Sequence, residues 1–323
     1  MLDVVFYEMF EEEKEAIKRF LPKDVKAQFI AQTVQGQNKS FPPAKVISIR
    51  TQSRIPPSWA PHLKGILTRS QGYDHLASYC RESGIHIPCG YLGDYCSRAV
   101  AEQAVIAMMV LLRKLKKQIR VFEIFSRDRL TGAECRGRHA LIVGVGCIGA
   151  QIVDIAQGLR MEVKGVDIAP KLKDIEYVSL NEGIRWADVV FCACCLTEQT
   201  RGMLHYRVLR KARKGLIFIN IARGEISPIE DLERLLSEGI LGGLSLDVYE
   251  QESAVADYFK GHRRSANAVI KKILKLKDRD GVLFTPHNAF NTQEALEAKA
   301  RLSAQAVQYF LQKETFPLAV PNC

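Results

Sequence analysis

Short apolar runs separated by helical patterns set the rhythm of this chain. In its N-terminal part, runs at 4–7, 28–31, 46–50, 66–68 and 85–87 read as strands, and residues 11–20 and 74–83 carry apolar positions at helical spacing. Strands that alternate with helices imply parallel pairing and α/β layers. From 97 to 125 a helical pattern runs without Gly or Pro, and its first half is apolar nearly all round, as in a buried helix. A second alternating series follows, with strand-like runs at 140–143, 163–166, 189–194, 216–221, 244–248 and 282–285. Continuous apolar runs of this kind suit parallel strands covered on both faces. A last helical pattern spans 292–313, the tail FPLAVPNC reads as extended, and the long connection from 252 to 281 predicts a helix near 267–276.

Composition narrows the class. With 323 residues, 47% apolar and 25% charged, the chain is long enough for two domains and too apolar for disorder. Its longest apolar run, 104–112, is nine residues, well short of the roughly 18 that a membrane span needs. The N-terminus lacks the basic flank and long apolar core of a secretory signal. Nine scattered cysteines, an odd number, read as reduced thiols rather than a disulfide framework. These features predict a cytoplasmic chain with no membrane partner. The net charge of +10 favours anionic partners, whether nucleic acid, anionic lipid or small anions such as nucleotides and carboxylates. The basic clusters at 113–117, 207–214 and 271–279 interleave with apolar residues at helical spacing, and no nucleic-acid-binding motif accompanies them. They read as solvated helix faces, without a nucleic-acid partner.

The sharpest motif is LIVGVGCIGAQIVDIAQGLRMEVKGVD. A strand is followed by Gly144, Gly146 and Gly149, a helix, a second strand and Asp167, in the order that a dinucleotide-binding unit requires. Gly144 permits the tight turn, Gly146 lets the backbone approach a pyrophosphate, and Gly149 lets helix and strand pack closely. Asp167 can accept both hydrogen bonds of a ribose diol and repels a 2′-phosphate, which favours NAD over NADP. Arg223, Asp247 and His287 each follow a predicted strand. Ligands of open parallel sheets bind beyond the carboxyl ends of strands, so these residues are expected to converge with the glycine turn.

With these residues in place, the chain resembles the NAD-dependent D-isomer-specific 2-hydroxyacid dehydrogenases over nearly its whole length. The likeness is carried by RSQGYDHL, AVAEQAV, LTEQT, NIARGE, LDVYEQE and TPHNAF, in that order. The form TPHNAFNT is most similar to the D-lactate and D-2-hydroxyisocaproate dehydrogenase branch. The resemblance implies two doubly wound parallel-sheet domains: a Rossmann NAD-binding domain at 98–289, inserted in a flavodoxin-like substrate domain at 1–97 plus 290–323. It implies a catalytic trio of Arg223, Glu252 and His287. It assigns Asp247, Thr200, Ile221, Ala222, Arg223, Cys147 and Ile148 to the cofactor, the backbone of Gln71 and Gly72 to a substrate carboxylate, and Tyr95, Phe290 and Arg223 to the substrate. The implied activity is reversible hydride transfer between NAD(H) and a small 2-keto or D-2-hydroxy acid. Glyoxylate, phosphoglycerate, formate or phosphite are rival substrates within the family, and an NADH-sensing corepressor-like protein is a rival of another class. The apolar helix from Ala99 and the resemblance together point to a homodimer.

Two departures from the family pattern stand out. Ala193-Cys194-Cys195 stands where many members carry His-x-Pro, and Cys194 and Cys195 are expected to line the cofactor cleft. A metal reading of Cys192, Cys194 and Cys195 fails on ligand spacing, so no metal is expected. Arg98 stands where a small polar residue is usual, and reads either as a surface charge or as a contact to a second anionic group of the substrate.

Overall fold

Every strand ladder pairs in parallel, and the ladders form two separate sheets. The structure, a computed structural model, describes every residue except Met1, Ile85, Arg263 and Asn322. It divides into a first unit, Met1–Cys96 with Asn291–Cys323, and a second unit, Ser97–Phe290.

The first unit holds β1 (Val4–Phe6), α1 (Glu11–Phe20), β2 (Ala27–Phe29), β3 (Val46–Ile49), β4 (Gly65–Thr68), α2 (Asp74–Ser83), β5 (Cys89–Tyr91) and the C-terminal helix Gln293–Lys313. Its sheet order is β2-β1-β3-β4-β5, the flavodoxin-like winding. Alternate strand residues feed different cores: Val5, Ile47 and Ile66 pack in one cluster, and Val4, Phe6, Val46 and Leu67 in another. That two-sided burial is why these strands read as unbroken apolar runs. The expected strand at 85–87 begins at Ile85, outside the described residues, and His86 and Ile87 have no strand structure; the ladder forms instead at β5.

The expectation of reduced thiols fails at two positions, because Cys80 and Cys323 form a disulfide. The tail runs back along β5, where the Tyr91 N–H donates to Leu318 O at 3.1 Å and the Val320 N–H to Cys89 O at 2.8 Å. This pairing carries Cys323 to Cys80 on α2, across a sequence separation of 243. The other seven cysteines are free thiols.

The second unit holds α3 (Ser97–Leu112), α4 (Leu115–Arg120), β6 (His139–Val143), α5 (Cys147–Gly158), β7 (Glu162–Val166), β8 (Glu176–Tyr177), α6 (Leu180–Trp186), β9 (Val189–Cys192), α7 (Tyr206–Leu209), β10 (Leu216–Asn220), α8 (Ile229–Ser237), β11 (Leu241–Leu246), α9 (Glu252–Phe259), α10 (Ala268–Leu276) and β12 (Val282–Phe284). The order β12-β11-β10-β9-β6-β7-β8 is the Rossmann winding extended by a seventh strand, with its direction reversing between β6 and β9. The single helix expected over 97–125 is broken at Lys114, whose φ is 53°. The Ala133 N–H takes the Leu112 carbonyl at 2.9 Å, ending α3. Past the break, Lys116 donates to the carbonyls of Lys277, Arg279 and Val282 at 2.5, 2.9 and 3.0 Å. Among the described residues no helix is long and apolar enough to cross a membrane.

A charged cluster lies inside the first unit. Glu13, Arg69 and Lys299 are 0%, 0% and 1% exposed. Arg69 Nε and Lys299 Nζ both donate to Glu13 Oε1 at 3.0 Å, and the guanidinium also reaches Ser48 Oγ and Tyr7 O. Burial opposes the charged carboxylate, but Arg69, Lys299 and Arg50 outweigh it and hold the Glu13 carboxyl down at about 2. Desolvation, only partly offset by Glu13, lowers Lys299 to about 8, with Arg50 and Arg69 adding to the shift. A carboxyl depressed in the folded state contributes stability that is complete above its ordinary value of 4.5 and is lost as pH falls toward about 2. Urea unfolding at stepped pH should therefore show stability declining across that window. Glu13→Gln should remove this acid dependence and cost about 3–5 kcal/mol at neutral pH, because it strands buried cations without their counter-charge.

Candidate active site

The glycine turn sits at the winding reversal of the second sheet. Gly144, directly after β6, has φ 93°, and a Cβ there would lie 2.4 Å from Cys194 Cα in the segment after β9. A Cβ on Gly149 would lie 2.0 Å from Gly144 O. Both positions need glycine for the protein's own packing. Gly146 differs: its backbone is extended, it is exposed, and no protein atom lies within 4 Å of an added Cβ. Only a ligand approaching that backbone requires glycine there, which fits a dinucleotide pyrophosphate. Cys147 (exposed) and Ile148 (half-buried) open α5, whose N-cap Gly146 supplies no side-chain acceptor to the first amides. Asp167, just past β7, accepts from the Val145 N–H at 2.7 Å and from the Ala169 N–H at 2.8 Å. Each carboxylate oxygen keeps a further lone pair for a diol.

The strand expected over 189–194 ends at Cys192. Cys192 is buried, Cys194 half-buried and Cys195 exposed. A hydrogen bond between the first two sulphurs holds the Cys194 thiol below its ordinary range and pushes that of Cys192 well above it. Thr200 donates to Cys195 O at 2.7 Å and accepts from the Thr197 N–H at 2.7 Å, closing the loop behind them.

After β10 the buried Asn220 shapes the next turn. Its Oδ1 accepts from the Ala222 N–H at 2.9 Å, and its Nδ2 donates to Arg223 O at 2.9 Å and Ser227 Oγ at 2.8 Å. Ile221 and Ala222 are buried beneath. Arg223 donates from Nη1 to Ala222 O at 2.8 Å. A Cβ on Gly224 would meet the backbone of Tyr249 at 2.0 Å, so the arginine turn lies directly against the segment after β11.

Asp247, 3% exposed, opens that segment. Its Oδ1 accepts from Thr285 Oγ1 at 2.6 Å and from the Asn288 N–H at 2.9 Å, and its Oδ2 from the Ala289 N–H at 3.0 Å. The side chain expected to serve the cofactor thus holds the loop after β12. Tyr249 assists by donating to Thr285 O at 2.8 Å. Within this loop His287 adopts the left-handed region at φ 51°. Its Nδ1 lies 2.6 Å from Oε1 of Glu252, the first residue of α9. Because an ionised carboxylate only accepts, the proton lies on Nδ1 and leaves Nε2 for chemistry. Glu250 does other work, since its Oε2 accepts from the Ile229 N–H at 2.8 Å at the start of α8, and burial raises its carboxyl. Arg223, Glu252 and His287 thus lie past the carboxyl ends of the adjacent strands β10, β11 and β12, with Phe290 9% exposed just beyond.

In the first unit, Gln71 and Gly72 follow β4, where Ser70 Oγ donates to Gly72 O at 2.7 Å and Gln71 Oε1 is buried without a hydrogen-bond partner among the described residues. Tyr95 donates to Arg69 O at 3.5 Å, and burial raises its hydroxyl. Arg98, on α3, pairs with Glu102 at 2.7 Å and Asp154 at 2.9 Å and is half exposed, which is the surface-charge reading. Sequence reasoning missed Asn220, Gly224 and Tyr249, although NIARG and DVYEQE contain all three.

Residues 103–289 match the family model described as the D-isomer specific 2-hydroxyacid dehydrogenase, NAD binding domain. The chain belongs to the D-isomer specific 2-hydroxyacid dehydrogenase family. NAD is accordingly the cofactor of its second unit. This dehydrogenase is 30% identical over 264 residues to 2-hydroxyacid dehydrogenase A of Aspergillus oryzae, covering 80% of this chain and 74% of that one. It is 29% identical over 262 residues to an aromatic 2-oxoacid reductase of Clostridium sporogenes, covering 78% and 77%. Among solved structures, the D-lactate dehydrogenase of Aquifex aeolicus, complexed with NAD and lactic acid, superposes with a TM-score of 0.83 at 27% identity, over 97% of this chain and 96% of that one.

The glycine geometry separates folding from binding in the dehydrogenase. Gly146→Ala should leave the melting temperature unchanged and weaken NADH binding, read by fluorescence titration. Gly149→Ala should destabilise the fold by about 1–3 kcal/mol through overpacking.

Proposed function

We propose that this NAD-linked 2-hydroxyacid dehydrogenase acts on a small, lactate-like acid, with Arg223, Glu252 and His287 as its catalytic residues. The observation that carries this reading is the 2.6 Å contact between His287 Nδ1 and Glu252 Oε1, beside the turn that presents Arg223. NAD(H), when bound, takes up or supplies the hydride. Reduction of a keto acid builds negative charge on the carbonyl oxygen. His287 gives that oxygen a proton from Nε2, and takes it back in the oxidation direction. Glu252 fixes the ring's tautomer and orientation. Arg223 offers parallel N–H donors that hold the carboxylate and polarise the carbonyl. The backbone of Gln71 and Gly72 is the second carboxylate contact, and Tyr95 and Phe290 border the substrate. Gly144, Gly146, Cys147, Ile148 and Gly149 cradle the pyrophosphate, and Asp167 takes the adenosine ribose. Cys194, Cys195, Thr200, Ile221 and Ala222 form the floor of the cofactor cleft.

In the same reading the protein is a cytoplasmic homodimer. Support for the dimer comes from unusually exposed apolar side chains in the second unit: Ile119, Phe122, Ile124 and Phe125 are 68%, 72%, 75% and 74% exposed. Light scattering that returns a monomer mass would remove the dimer.

NADH oxidation should be screened against pyruvate, 2-ketoisocaproate, phenylpyruvate, glyoxylate and oxaloacetate. Turnover is expected with a small aliphatic 2-keto acid; NADH binding without turnover of any of them would overturn the assignment. His287→Asn should lower kcat by about 100- to 10,000-fold in both directions. Arg223→Lys should lower kcat/KM at least about tenfold although the charge remains, because a point charge cannot replace a planar pair of donors. Wild-type efficiency in the lysine variant would place the carboxylate elsewhere. The unmodified enzyme should prefer NAD to NADP, and Asp167→Ser should narrow that preference.

A further inference from the structure

We propose that Cys80, Cys89 and Cys323 form a thiol–disulfide exchange site, in which Cys80 bonds alternately to Cys323 and to Cys89. The three sulphurs lie within 4.8 Å of one another, and the free Cys89 sulphur is 3.6 Å from the Cys80 sulphur of the disulfide. The fold holds all three in place. Cys80 lies near the end of α2, Cys89 opens β5, and the tail's pairing with β5 brings in Cys323. Cys80 and Cys89 are 6% and 2% exposed, while Cys323 is half-buried and is the member that a small reagent meets first.

The chemistry balances without a group from the dehydrogenase reaction. The two-electron oxidant is a low-molecular-weight disulfide such as oxidised glutathione. The Cys323 thiolate attacks one of its sulphurs and releases one glutathione thiolate. Cys80 then attacks Cys323 Sγ and releases the second, which leaves the Cys80–Cys323 bond. In the exchange step the Cys89 thiolate attacks Cys80 Sγ. The Cys80–Cys89 bond forms, the Cys80–Cys323 bond breaks, and Cys323 leaves as a thiolate that takes up the proton Cys89 lost. Burial pushes the Cys89 thiol up to about 12, so its thiolate is scarce and the exchange is slow at neutral pH. The exchange decides whether Cys323 is tethered to α2. It lies at the amino end of the first sheet, away from the loop after β4 that carries Gln71 and Gly72, so basal turnover should not depend on it.

The test uses the full chain, incubated with oxidised glutathione in mildly alkaline buffer, quenched with N-ethylmaleimide and digested with trypsin without reduction. Cleavage after Arg81 puts Cys80 and Cys89 on different peptides, so each pairing has its own mass. Wild type should give both Cys80–Cys323 and Cys80–Cys89 linked peptides, and Cys323→Ser only the latter. Cys89→Ser should give only Cys80–Cys323, with its C-terminus more resistant to carboxypeptidase than in the reduced protein. Fragmentation distinguishes Cys89 from Cys96 on their shared peptide. The proposal is overturned if the Cys80–Cys89 peptide is missing from wild type. The wild-type peptide map needs no substitution, so it decides the proposal even where a variant fails to fold.

Discussion

The buried carboxylate of Asp247 is the constraint on which the chemistry of the second unit depends. His287 stands at φ 51°, a left-handed conformation that costs a residue with a side chain about 1–3 kcal/mol. Left alone, a loop would relax out of it. Asp247 accepts three hydrogen bonds from this loop, one from Thr285 and one each from the amides of Asn288 and Ala289. Bonds to a charged acceptor contribute about 1.5–3 kcal/mol each, so together they outweigh the strain. The imidazole is thereby presented to Glu252 by a backbone with little freedom of its own. An aspartate whose strand-end position suggests a ligand contact also clamps the loop that carries His287.

The neighbouring strand ends use the same device with different groups. Asn220 gives both ends of its amide to the turn that holds Arg223, and Glu250 holds the start of α8 immediately after that turn. Gly224 lets the arginine turn press against the backbone at 249–250. Arg223 and His287 are therefore each carried by a short loop, and each loop is pinned by a buried polar side chain from a strand end. This arrangement combines the reach of loops with the rigidity that positional catalysis needs.

What the sequence disclosed follows from which interactions are local. Most strands of both sheets were legible because two-sided burial leaves continuous apolar runs, and the glycine turn because its steric demands fall within a few residues; the edge strands β5 and β8, three and two residues long, were not. The break at Lys114 was not, since the group that ends α3 is the Ala133 amide, which nothing in the helical pattern announces. The Cys80–Cys323 bond spans 243 residues and depends on the tail adding to β5, so an odd count of scattered cysteines pointed the wrong way. Residue type and strand-end position marked His287 and Arg223 as candidates, and the family resemblance added Glu252. The clamping roles of Asp247 and Asn220 come from the partners that tertiary structure supplies, and residue type does not reveal them.

The two units place their buried charge differently. In the first unit Glu13 is enclosed by Arg69, Lys299 and Arg50, a cluster with more cations than anions beneath the strand end that leads to Gln71 and Gly72. The surrounding cations depress Glu13 against its burial, whereas Lys299 is lowered first by desolvation, with Arg50 and Arg69 adding to it. In the second unit the buried carboxylate of Asp247 and the half-buried one of Glu250 bond to hydroxyl and amide donors and form no ion pair among the described residues. Neutral donors stabilise a carboxylate without cancelling its charge, so the loop after β12 folds around a negative group.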